Sequence, residues 1–259
     1  MKHLVSLLAV LLPVAAAYGQ AGSTQELSGI AVSGVPGIRI ISSSYDPAAH
    51  GGKVTFINDS TLNITAFRGQ LKEIHFDGST ETDTLGAELI FADADYRVKI
   101  KTMPWVPERS VHPIHPGESY TEEFTTSWRP GERDVQAVSV SYELVVYANN
   151  TAETKNALSL QDVVNTRLRE AEHERKLAKI GNDLLADAQI DHPVSELARR
   201  LQDNQFAKAH ILEVTDPAGI GEGQLATKDE RFQVAQFTAR HQAKAKILEE
   251  SAKLKAVAQ

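Results

Sequence analysis

The stretch VQAVSVSYELVVY (Val135–Tyr147) decides the fold. Val138, Val140, Tyr142, Leu144 and Val146 fall at every second position, with Ser139, Ser141 and Glu143 between them. A period of two predicts an antiparallel strand with one face on a core and the other toward water.

The same reading extends upstream. GIRIISSSYD is a short apolar run ending in turn residues, and KVTFIND alternates Val54 and Phe56 against Thr55 and Ile57 before an Asn-Asp-Ser turn. NITAFRGQLKEIHFDGST predicts a longer strand with a bulge at Gly69 and a tight turn at Asp77-Gly78, after which the chain pairs back. YRVKIKT and SYTEEFTTS supply two more strands. Strands at this spacing over residues 37–150 predict an immunoglobulin-like antiparallel β-sandwich.

Downstream of Asn149 the rhythm changes. NNTAETKN reads as a polar connector, and Ser159 with Asp162 as an approximate capping box. Leu160, Val164, Leu168 and Ala171, then Leu177, Ile180, Leu184 and Ala188, form one stripe at helical spacing. Pro193 suits the first turn of a second helix carrying Val194, Leu197 and Leu201. Thr227 with Glu230 predicts the cap of a third, with Phe232, Ala235, Ala239, Ala243 and Lys246 on one line and Phe237, Leu248 and Leu254 widening its face. The class expected is α+β: residues 1–19 a signal peptide, 20–36 an N-terminal linker, 37–150 the sandwich and 151–259 a region of about three helices packed on it.

The signal peptide rests on Lys2, the apolar run Leu4–Ala17 and the small residues in AAAYGQAGS. It implies export to a periplasmic or extracellular location, with no transmembrane segment in the mature chain. No cysteine occurs, which rules out a disulfide framework and thiolate ligands. Residues 21–150 carry seventeen acidic and ten basic side chains, which disfavours nucleic acid as a partner.

Candidate sites are few. In SVHPIHPGES, His112 and His115 stand three apart among prolines, and a polyproline-like backbone turns them, with Glu118, the same way. Two imidazoles so placed can reach one zinc ion. The competing reading makes PGES a turn into the next strand with both histidines in solvent. Trp105 and Trp128, beside Pro107 and Pro130, offer either a sugar-binding platform or packing over the core edge. Asp93 and Asp95 with Glu88 read as calcium ligands or as a solvated turn. His173, His192, His210 and His241 read as solvated helix positions. No nucleophile motif or phosphate-binding loop appears, so no catalytic residue and no cofactor is expected.

KVTFINDSTLNITAFRGQLKEIHFDGST, followed by HPGES and then LVVYANNT, resembles exported bacterial proteins with an immunoglobulin-like domain and no assigned activity. The resemblance covers residues 37–155 and implies a sandwich outside the cytoplasm, with no catalytic residue. The expectation is an exported, non-enzymatic binding or scaffold protein whose sandwich contacts a protein or cell-envelope component, with the helices covering a sheet face or forming a homo-oligomer surface. The alternative is a metal-assisted hydrolase or carbohydrate-binding module centred on the histidines or the tryptophans.

Overall fold

The computed structural model describes residues 25–27, 30–90, 112–126, 135–204, 207, 210–215 and 229–257. The signal-peptide reading, the strand read in YRVKIKT, Asp93, Asp95, Trp105 and Trp128 lie outside them. The chain is α+β, with its strands concentrated in the N-terminal part and its helices in the C-terminal part.

Two sheets share one core. The larger runs β1 (Gln25–Leu27), β2 (Ile30–Ser33), β8 (Val135–Tyr147), β5 (Ile64–His75), β6 (Thr80–Glu88), and the smaller runs β3 (Ile38–Asp46), β4 (Gly51–Asn58), β7 (Ser119–Thr125). Val54 and Phe56 of β4 are fully buried, as their alternation predicts. Phe56 meets Phe67 of β5 and Tyr142 of β8 edge-on, both at 5.2 Å between centroids, so aromatic rings join the two sheets. Asp77-Gly78 forms the expected turn, with Gly78 at φ +81°. The pairing of β2 with β8 is parallel, so the sheet is mixed.

Three boundaries differ from the sequence reading. Residues 25–33, read as linker, contribute β1 and β2. The connector NNTAETKN contains β9 (Thr151–Thr154), which pairs with β8, and the chain returns from its far end as β10 (Lys255–Ala256) to pair with β9. Period-two structure therefore continues past Asn150. Polar side chains hid β9, a four-residue strand in which Ala152 is the one buried residue, too short for an alternation to register.

β8 itself holds a phase slip. Arg68 pairs with Leu144 and Gly69 with Tyr142, which leaves Glu143 as an extra residue. Val138, Val140 and Tyr142 face the inter-sheet core together with Val145 and Tyr147, whereas Leu144 and Val146 belong to a second cluster with Ala66, Ala152 and Val163. The five residues read as one face thus serve two. A Cβ on Gly69 would stand 2.8 Å from the Ser141 carbonyl, so glycine admits the bulged backbone opposite it.

The helices are α1 (Ala157–Ala186), α2 (Pro193–Asp203), the short α3 (Ile211–Thr215) and α4 (Glu230–Ser251). The first part of α1 packs on the larger sheet through Val163 and Leu160, and its later residues Leu177 and Leu184 join Leu197, Leu201, Val214, Val234 and Phe237 in a separate helical core. Asn156, not Ser159, caps α1 by accepting from Leu158 N at 2.9 Å. Asp229 caps α4, and Glu230 instead accepts from Val194 N at 3.1 Å, at the start of α2. Pro193 opens α2 as expected. Leu168 and Phe232, placed on buried stripes by spacing, are about half exposed. The buried line of α1 is Val163, Arg167, Ala171, Glu174, Leu177, and that of α4 is Val234, Phe237, His241, Ala245, Leu248.

Candidate metal centre

The HPGES segment is both a turn and a convergence point. His115 O accepts from Glu118 N at 3.0 Å across Pro116-Gly117, with Gly117 at φ +78°, which is the backbone a Pro-Gly turn of type II requires. Ile114 forms a two-way bridge with Ile64, and the buried Asn58 side chain donates to Ile114 O at 2.9 Å and to Leu62 O at 2.8 Å. The corner is thus tied to the start of β5 and the end of β4.

On that corner, His112, His115 and Glu118 each offer a ligand atom within 4.8 Å of the others. The two rings stack 5.5 Å apart at 27°. His112 Nδ1 lies 2.8 Å from Pro113 O, and His115 Nδ1 lies 3.1 Å from Asn63 Oδ1. An oxygen acceptor at Nδ1 places the proton there and leaves Nε2 with its lone pair, the tautomer that a metal needs. Glu118 Oε2 accepts from His115 N at 2.8 Å, and Oε1 stands 3.2 Å from His112 Nε2. Two lone-pair atoms that close require a proton or a metal ion between them.

The structure also assembles a cluster that the sequence reading dispersed onto solvated helix faces. His241 is fully buried on α4. Its Nδ1 bonds Glu174 of α1, and its Nε2 stands 3.3 Å from Glu213 Oε2 of α3 without a hydrogen bond. Glu213 Oε1 accepts from His210 Nδ1 at 2.5 Å, and Oε2 lies 3.1 Å from the Arg240 guanidinium. His173 Nε2 faces His210 Nε2 at 3.4 Å. His192 alone of the four remains on the surface, near Glu230.

Electrostatics there follow from burial set against partners. Burial lifts the Glu213 carboxyl, but the His210 hydrogen bond and the adjacent His241 ring outweigh it and hold the group well below the usual carboxylate range. Glu174 is likewise lifted by burial and lowered further by His241. Burial pushes His241 down, and the two carboxylates push it up by more. His173 is lowered by burial and then by His210.

The spacing Val234, Phe237, His241, Ala245, Leu248 was the available signal for this cluster: it places His241 inside an apolar stripe. Glu88, a proposed calcium ligand, is instead engaged by the buried Arg167 at 3.0 and 3.1 Å.

Compared with known proteins, the sequence matches no family model and no curated protein. A solved structure of a hypothetical protein from Peptoclostridium difficile 630 aligns at 12% identity over 47% of this chain and 88% of that one, with a TM-score of 0.29. A likeness at that level leaves fold and function to be argued from the residues.

Proposed function

We propose that this chain is an exported, non-enzymatic binding protein with an immunoglobulin-like arrangement of its β layers, and that His112, His115 and Glu118 hold a divalent transition metal at the corner leading into β7. The observation that carries the metal is His112 Nε2 facing Glu118 Oε1 at 3.2 Å while Nδ1 of the same ring is already engaged by Pro113 O. Two imidazoles and a carboxylate suit zinc, and the neighbouring Asn63 and backbone oxygens orient the rings as outer partners do around protein-bound zinc. Three protein atoms leave a tetrahedral ion one open position. The ligands are one-third exposed at His112 and Glu118, so a group from a partner protein or envelope component can complete the shell. The acidic β half and the signal-like N-terminus support a partner outside the cytoplasm.

The test is zinc titration of the chelator-stripped chain by calorimetry, comparing wild type with H112A/H115A and with E118Q. The double variant is expected to bind one equivalent fewer, and E118Q to bind at least tenfold more weakly at the same stoichiometry. Equal zinc uptake by wild type and the double variant would refute the reading. A second reading, metal-assisted hydrolysis, is favoured by the same open position, because two histidines and a glutamate with one site for water also serve in zinc hydrolases. Zinc-dependent turnover of an activated ester that disappears in H112A/H115A would select it.

A further inference from the structure

We infer a second transition-metal site, independent of the corner, inside the helical part: His210, Glu213 and His241 bind one zinc-class ion, with Glu174 orienting His241 from behind. Each of the three offers one ligand atom within 4.8 Å of the others. The ligands come from two elements that are distant in sequence. His210 immediately precedes α3, Glu213 lies within it, and His241 projects from the middle of α4.

The decisive atom is His241 Nε2. The side chain is fully buried, its Nδ1 is committed to Glu174, and Nε2 has no hydrogen-bond partner although Glu213 Oε2 lies 3.3 Å away. With the proton on Nδ1, a nitrogen lone pair and a carboxylate oxygen face one another in a site shut off from water. Such an arrangement is stable only with a cation between the two atoms. A proton can occupy that place, and so can a metal ion that displaces it, since metal binding to imidazole competes with protonation. The Glu174–His241 contact is the carboxylate–histidine arrangement that fixes ring orientation and raises basicity around bound zinc.

Two further features fit an ion. His210 keeps a small exposed surface, 15% of its side chain, which gives an entry route on the side of His173. The Nε2 atoms of His173 and His210 approach to 3.4 Å, so among the described residues His173 is placed to supply a fourth ligand. Arg240 holds Glu213 Oε2 from the other side and limits how far the carboxylate can rotate. The consequence is mechanical: α3 spans five residues, too short to persist as an isolated helix, and an ion shared by Glu213 and His241 would clip it to α4.

The experiment loads the whole chelator-stripped chain with Co²⁺ and reads stoichiometry by native mass spectrometry and coordination by visible absorption. The chains are wild type, H112A/H115A, H210A, E213Q, and H210A combined with H112A/H115A. The expected result is one equivalent retained in H112A/H115A, with the intense bands of four-coordinate cobalt, and none when H210A is added. H210A lies at the edge of the buried cluster, and circular dichroism shows whether it stays folded. E213Q preserves volume at a second ligand and is expected to lose the same equivalent. If H112A/H115A binds no cobalt, a proton alone occupies the helical cluster and the inference is overturned. Retention of the equivalent in the H210A combination also overturns it. Failure of the corner reading looks different: wild type then binds a single ion that H210A removes and H112A/H115A does not.

Discussion

Replacing Arg167 with methionine tests how the two cores are joined. Arg167 is fully buried on α1, and its guanidinium makes four hydrogen bonds: two to the Glu88 carboxylate at 3.0 and 3.1 Å, one to Ser251 O at 2.6 Å and one to Thr65 Oγ1 at 3.3 Å. It therefore ties β5, β6 and the end of α4 to one point on α1. Methionine keeps the apolar stem but leaves a carboxylate and a buried carbonyl without their donor. Glu88 retains 14% exposure, which relieves part of the cost, and the Ser251 carbonyl has less access to water. Breaking a buried pair by removing one member costs about 3–5 kcal/mol, and the remaining exposure of Glu88 places R167M near the lower end, about 3 kcal/mol. E88Q in the same background removes the stranded charge and should recover at least about 1 kcal/mol. Urea unfolding followed by two probes measures this. Near-ultraviolet circular dichroism reports the packing of Phe56, Phe67 and Tyr142 between the sheets, and far-ultraviolet circular dichroism is dominated by the helices. Coincident transitions in wild type should separate in R167M, because the inter-sheet and helical clusters are distinct. A loss under about 1 kcal/mol with transitions still superimposed would show that Arg167 does not couple the two parts.

Two other outcomes follow from the packing. A Cβ on Gly181 of α1 would overlap Thr238 Oγ1 and stand 3.2 Å from Thr238 Cβ on α4, so G181A trades a helix-propensity gain of about 1 kcal/mol for overpacking of about 1–3 kcal/mol. Net destabilisation is expected by urea midpoint, with G181A/T238A recovering it, and a stabilised single variant would contradict the close approach. At high pH, Tyr142 and Tyr147 have phenols raised above their ordinary value, first by burial and then by Glu122 and Glu153 respectively. Stability is then fully present below about pH 10 and falls above it by about 1.4 kcal/mol per phenol per pH unit, until the folded-state values are reached. Tyrosinate absorbance followed alongside circular dichroism checks this: part of the ionisation should coincide with unfolding, whereas complete ionisation of all six tyrosines in the folded chain would contradict it.

What could be read in advance was whatever depends on neighbours along the chain. The turn at Asp77-Gly78, the alternation in β4, Pro193 opening α2 and the Pro-Gly turn at His115–Glu118 are local, and each appears as its residues imply. Stripe phase was less legible, because α1 and α4 bury polar residues where partners from other elements satisfy them: Arg167 through Glu88, Glu174 through His241, His241 through Glu174. Hydropathy counts such positions as surface, so the apolar line drifts to Leu168 and Phe232. The same substitution of pairing for apolarity hid the helical histidine cluster. At the corner, His112 and His115 were visible because their ligand spacing is local, and Glu118 completed the set within the same turn. The His115 tautomer depends on Asn63, fifty-two residues upstream, and was not visible.

The bulge at Glu143 shows why one strand can serve two cores. A regular β8 would keep Leu144 and Val146 on the inter-sheet side and turn Val145 and the bulky Tyr147 to the face that α1 covers. The extra residue reverses that choice beyond Tyr142 and places Leu144 and Val146 beneath Val163. Glu143 then has an unpaired position from which to reach the start of the helix. Its carboxylate accepts from Asn156 Nδ2 at 2.8 Å and from Ser159 Oγ at 2.9 Å, while its carbonyl accepts from Lys155 N at 2.8 Å. Asn156 is also the residue whose side chain caps α1, so the bulge and the helix start are fixed by one connected set of hydrogen bonds. The transition from strand to helix is therefore specified three-dimensionally at Glu143, eleven residues before β9 ends, and not at the point where hydropathy changes period.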